Sequence, residues 1–214
     1  MCFSATASFV AGGTLSAAGA LTLTQAKTKK ELPFAAIPLL FGVQQTIEGF
    51  VWLSFGSAFW NVALTYAYSM FSHVLWPIFV PISVLLLETD PTRKKILRSF
   101  SVIGAAVGLY LLYFIIVDPV TAHVVNHSIA YHSPHFYALP TMFLYLIATC
   151  GSCLASSHKI IKVFGVVLLT SFAIAAWFYT ETFFSVWCFF AAILSVIVCW
   201  YFRNKNMQKS HVSV

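Results

Sequence analysis

The chain reads as an all-α integral membrane protein of seven transmembrane helices. Three observations predict this. Only 8% of its 214 residues are charged while 60% are hydrophobic, and a soluble domain carries about 25% charge, so lipid must be its main solvent. Seven segments approach the ~20 apolar residues that a spanning helix needs. All twelve Lys and Arg residues then fall on one side of the seven-span arrangement.

The spans are expected at residues 7–24, 33–55, 60–87, 99–117, 136–155, 160–178 and 182–202. Residues 1–8 carry no positive charge ahead of the first apolar stretch, so that stretch is not built like a cleaved signal. It is rich in Gly, Ala, Ser and Thr, which allow close helix contact and place it inside the bundle. Pro77 and Pro81 remove backbone donors from the third span and are expected to kink it. The longest non-helical piece is the connection 118–135. Residues 203–214 form a polar, basic tail expected to be disordered. Residues 1–202 thus make one seven-helix domain.

Lys27, Lys29 and Lys30 follow the first span, and Arg93, Lys94, Lys95 and Arg98 follow the third. Lys159 and Lys162 follow the fifth, and Arg203, Lys205 and Lys209 follow the seventh. By the positive-inside rule this side is cytoplasmic, with the N-terminus outside and the C-terminus inside. The formal charge of +6 does not point to nucleic acid, because the basic residues sit in short loops beside apolar runs. The expected partner is the bilayer, here a bacterial inner (plasma) membrane. Of the five cysteines, Cys150 and Cys153 form a CxxC on one apolar helix and read as small packing residues.

Glu48 is the one acidic residue deep in a span. Phe41, Gln44, Gln45, Glu48 and Trp52 follow helical spacing and share a face, which must point into the bundle. Tyr66, Ser69, His73, Trp76 and Pro77 do the same on the third span, so Glu48 and His73 are natural partners. Two readings compete: silent interhelical hydrogen bonding, or a pocket for a metal, a proton or a substrate. The connection 118–135 adds His123, His127, His132 and His135, and a helical connection would put His123 and His127 on one face. His73, His127, His132 and His135 are the candidate ligands of a divalent metal such as zinc. Glu181 lies on the same outer side, as a pocket residue or as a helix N-terminal acid. Removal of Met1 would leave the Cys2 amine beside its thiol, a chelating or nucleophilic pair. Ser4 follows, as a site residue or as a helix cap.

The opening "MCFSATASF" (residues 1–9) and "PLLFGVQQTIEGFVW" (residues 38–52) resemble a family of small bacterial membrane proteins of unknown function. That resemblance implies a polytopic fold, adds no activity, and carries over Cys2, Ser4, Gln44, Gln45 and Glu48. Seven-helix hydrolases of the alkaline ceramidase and adiponectin-receptor type are a more distant analogy. They hold zinc with three histidines and an aspartate inside the bundle. Here the seventh span has no histidine and no Asp lies deep in a span. No Lys lies deep in a span either, which disfavours a retinal protein.

Three functions follow. One is a membrane-embedded, metal-dependent hydrolase open to the outer face, acting on a small or lipid-like substrate. Its catalytic residues are Glu48, His73, Cys2 and Ser4. Its pocket is lined by Gln44, Gln45, Trp52, Tyr66, Ser69, Trp76 and Glu181, with Glu48 as general base. The alternative is a proton- or ion-coupled transporter using the Glu48/His73 pair. The third is a receptor or scaffold without turnover.

Overall fold

The computed structural model describes residues 4–133, 137–179 and 181–212, with side chains as far as Lys205. Among the described residues, seven helices are long and apolar enough to cross a membrane. They are α1 (Ala5–Gln25), α2 (Leu32–Ser54), α3 (Ala58–Leu87), α4 (Pro91–Val117), α5 (Ala138–Ala155), α6 (Lys159–Phe178) and α7 (Phe183–Lys205). The helix of α7 continues to Val212, so the tail is helical to there rather than irregular.

Short polar connections turn the chain at the end that carries the Lys and Arg residues. Polar contacts between the turns tie this basic end together. Lys205 Nζ meets Glu31 Oε1 at 2.8 Å. Arg93 donates to the carbonyl of Ala155 at 2.7 Å. Glu88 links the α3–α4 turn to the α5–α6 turn by accepting from the Ser157 amide and hydroxyl, both at 2.7 Å.

The first helix departs from the sequence expectation. Its glycines do bring it close to α2: a Cβ at Gly12 would strike Thr46, and one at Gly19 would strike the Leu39 backbone. The opposite face is open, with Val10 64% and Leu21 66% exposed. α1 therefore lies on the flank. Small residues provide one close contact, but they do not fill the middle of a bundle.

The prolines act in α3 as their chemistry requires. Residues Met70–Leu75 form a π-helical segment just ahead of Pro77, and such bulges cluster at functional sites. Pro81 offers no N–H to the Pro77 carbonyl, and Gly104 of α4 packs directly on that oxygen. A second π segment, Ile147–Gly151, interrupts α5.

The connection expected to be irregular or helical is an antiparallel hairpin, β1 (Thr121–Val125) and β2 (Ser128–His132). Val125 pairs with Ser128 across a two-residue turn. Asn126 (φ 47°) and His127 (φ 58°) are both left-handed there, as a type I′ turn demands. The hairpin roofs the bundle. Ala122, Ile129 and Tyr131 face downward and pack with Val51, Tyr68 and Cys188.

A candidate functional site inside the bundle

The site is built from α2, α3 and α7. Glu48 is 0% exposed, and its Oε1 accepts from the Ser185 hydroxyl at 2.6 Å. Gln44 Oε1 accepts from Trp76 Nε1 at 2.7 Å, and the Trp76 ring stacks on Phe41 with centroids 3.9 Å apart. A carboxylate cannot lie so deep without donors, and the i, i+4 step from Gln44 to Glu48 puts both on one face.

His73 lies in the π segment of α3 and is 0% exposed. Its Nδ1 is 2.7 Å from the Ser72 hydroxyl, and its ring lies 4.4 Å from that of Phe184. The bulge sets the Ser72 carbonyl apart from the regular helical ladder, and the buried Tyr145 hydroxyl of α5 donates to it at 2.7 Å. Cys188 of α7, 4% exposed, packs with Val51, Tyr68 and Tyr131.

Two cross-links fix how α2 and α3 run past each other. Asn61 donates to the Ser54 hydroxyl at 3.1 Å near the hairpin end, and Trp76 meets Gln44 further in. Counting at the helical rise between these two links brings Trp52 about level with Thr65, Glu48 with Ser69, and Gln45 with His73. Tyr68 and Tyr131 stack over this set at 4.2 Å and 6°. Toward the basic end a cavity of about 30 Å³ is lined by Phe41, Trp76, Tyr145, Thr149, Trp187 and Cys188 among others. That is room for about two water molecules. The larger hollows, of about 300–450 Å³, are surface grooves.

Several expected site residues lie elsewhere. Tyr66 packs with Val74, Ile115 and Val120, and its hydroxyl accepts from the Val120 amide at 3.4 Å. It anchors the hairpin, and Tyr68 takes the inward position instead. Ser4 is exposed and caps α1, accepting from the Ala7 amide at 3.2 Å. Glu181 is exposed beside Thr121, His123, Ala130 and His132 in the outer groove. It is not part of the Glu48 cluster. Cys2 and His135 lie outside the described residues.

The expected metal set does not assemble. Among the described residues no three of His, Cys, Asp and Glu come together to hold a metal ion. His73 is sealed in the bundle, while His127 serves the exposed tip of the roof hairpin and His132 its exposed outer face. These residues do not fit a zinc centre. Ser185, Ser72, Tyr145, Tyr68 and Cys188 are the site residues that sequence reasoning missed. Their one signal was position: Ser185 and Cys188 are an i, i+3 pair of small polar groups in the aromatic run "TFFSVWCFF".

A family model described as a family of unknown function (DUF6629) matches residues 1–213, and the chain belongs to that family. No curated protein and no solved structure matches it.

Proposed function

We propose, for a chain whose family assigns no activity, a proton-coupled transporter of small solutes in which Glu48 and His73 form the proton site. In this reading the seven helices span a bacterial plasma membrane, with the hairpin outward and the basic end in the cytoplasm. The observation that carries it is the Glu48 carboxylate, fully buried and held by the Ser185 hydroxyl. An ionisable group at such depth marks proton or ion pathways. His73 lies buried in a π segment of α3, and two prolines follow on that helix. These are features that let a helix bend. The cavity of about 30 Å³ beside the site admits water-sized species, whereas a drug-sized ligand needs some 300 Å³ or more. That size favours a proton site over a lipid-cleaving pocket.

The test is proton flux in liposomes containing a pH-sensitive dye. Flux is driven by a membrane potential and then by added small amines, amino acids and sugars. Glu48→Gln is expected to reduce the flux at least tenfold, and His73→Ala to alter its pH dependence. Flux that is the same in wild type, Glu48→Gln and empty liposomes would overturn the proposal.

The 2.7 Å Ser72–His73 contact favours a second reading, a hydrolase in which His73 activates the Ser72 hydroxyl. Covalent labelling of Ser72 by a fluorophosphonate, lost in Ser72→Ala, would establish it. An unlabelled wild-type protein counts against it.

A further inference from the structure

Six buried hydrogen-bonding atoms on α2, α3 and β2 have no protein partner among the described residues. They are both carboxamide atoms of Gln45, Nε1 of Trp52, and the hydroxyls of Thr65, Ser69 and Ser128. Gln45, Thr65 and Ser69 are 0% exposed and Ser128 is 1% exposed. A fold of ordinary stability does not leave so many buried polar groups dry.

Their order in space is informative. Ser128 is the buried residue that follows the two-residue turn of the roof hairpin. Trp52 and Thr65 come next, at one level of α2 and α3. Ser69 follows beside Glu48, and Gln45 lies one turn deeper, level with His73. On α3 the sequence Thr65, Ser69, His73 repeats every four residues, so these groups stand one above another. The column begins under the Tyr68–Tyr131 stack and ends at the Phe41–Trp76 stack.

We propose that this column holds a chain of hydrogen-bonded water molecules, entered from the hairpin end past Tyr131, that delivers protons to Glu48. Water fits because the lining offers donors (Trp52 Nε1, Gln45 Nε2), an acceptor (Gln45 Oε1) and three hydroxyls that serve as either. A proton entering at the hairpin end passes from water to water and protonates the carboxylate, and each water ends neutral. The aromatic stack at the inner end stops the chain there, which makes it a half-channel. The delivery of protons rests on the transporter reading, whereas the hydration of the column does not.

Cys188 is the reporter, since it packs with Tyr68 and Tyr131 at the mouth of the column. The test uses the full chain in nanodiscs with Cys2, Cys150, Cys153 and Cys199 replaced by Ser. It is treated with 2-aminoethyl methanethiosulfonate, a small water-soluble thiol reagent. A matched protein retains only Cys153, which is buried in the apolar core. Cys188 is expected to react at least tenfold faster than Cys153, and Tyr131→Ala to speed Cys188 at least tenfold more. Equal rates at Cys188 and Cys153, unmoved by Tyr131→Ala, overturn the proposal. Should the serine variants fail to fold, X-ray radiolytic footprinting of wild type replaces them. Hydroxyl radicals made from bound water are expected to oxidise Trp52 well above Trp187. Equal oxidation of the two rings overturns the proposal. Labelled Cys188 with absent proton flux would instead fault the transporter reading and leave the water column standing.

Discussion

Replacing Glu88 with Gln tests how the basic end is held shut. Glu88 is 2% exposed. Its Oε1 accepts from the amides of Thr89 (2.8 Å) and Asp90 (3.0 Å) and from the Ser157 hydroxyl (2.7 Å), while Oε2 accepts from the Ser157 amide (2.7 Å). Burial pushes its pKa up, but these donors outweigh burial and hold the carboxyl down at about 2, against an ordinary 4.5. The distance from 4.5 to about 2, at 1.36 kcal/mol per pH unit, corresponds to about 3 kcal/mol. The folded pKa is depressed, so this stability is fully present above pH 4.5. It is lost as pH falls from 4.5 through about 2. The Gln amide keeps one acceptor oxygen but turns an N–H toward the Ser157 N–H. The variant should lose about 3 kcal/mol at pH 7, or roughly 6–12 °C in Tm for a chain of this size. The assay is thermal unfolding in detergent, followed by tryptophan fluorescence at several pH values. Between about pH 5 and pH 3 the gap between wild type and variant should narrow, because only wild type has a carboxylate to titrate. A variant melting within ~2 °C of wild type at pH 7, or a gap that ignores pH, would refute the reasoning.

Other outcomes follow from the same geometry. Gly104→Ala places a methyl on the Pro77 carbonyl and should cost about 1–3 kcal/mol by forcing α3 and α4 apart, read as a lower Tm. Tyr145→Phe removes the donor to the Ser72 carbonyl and should cost about 1–2 kcal/mol. A double variant with Ser72→Ala, in which that backbone carbonyl persists, should show the same Tyr145 effect. His127→Gly relieves a left-handed backbone at φ 58° and should raise stability by about 1 kcal/mol, with proton flux unchanged. Breaking the partly exposed Lys205–Glu31 pair with Lys205→Ala should cost under ~1 kcal/mol, and less in high salt.

The identity of the helices was written in the composition. Apolar runs of the right length and basic residues at alternate connections are local properties, so seven helices could be read without a fold. The polar faces were legible for the same reason. Gln44, Gln45 and Glu48 on α2, and Ser69, His73 and Trp76 on α3, are set by helical period alone. Tyr66 was given the place taken by the inward-facing Tyr68, two positions on, and α1 was expected in the interior. Both depend on which neighbour each face meets, and periodicity does not encode that.

The partners were decided by tertiary structure. Ser185 reaches Glu48 across 137 residues of chain, and Tyr145 reaches Ser72 across 73. No spacing rule connects such positions. The histidines of residues 118–135 looked like ligands because imidazoles close in sequence are close in a helix. Asn126 and His127 instead turn the chain into a hairpin. That turn puts His127 at an exposed tip and lays Tyr131 over Tyr68. A carboxylate in an apolar run tells the reader that something polar must meet it. Only the packing of seven helices and one hairpin decides that it is a serine hydroxyl beneath an aromatic roof.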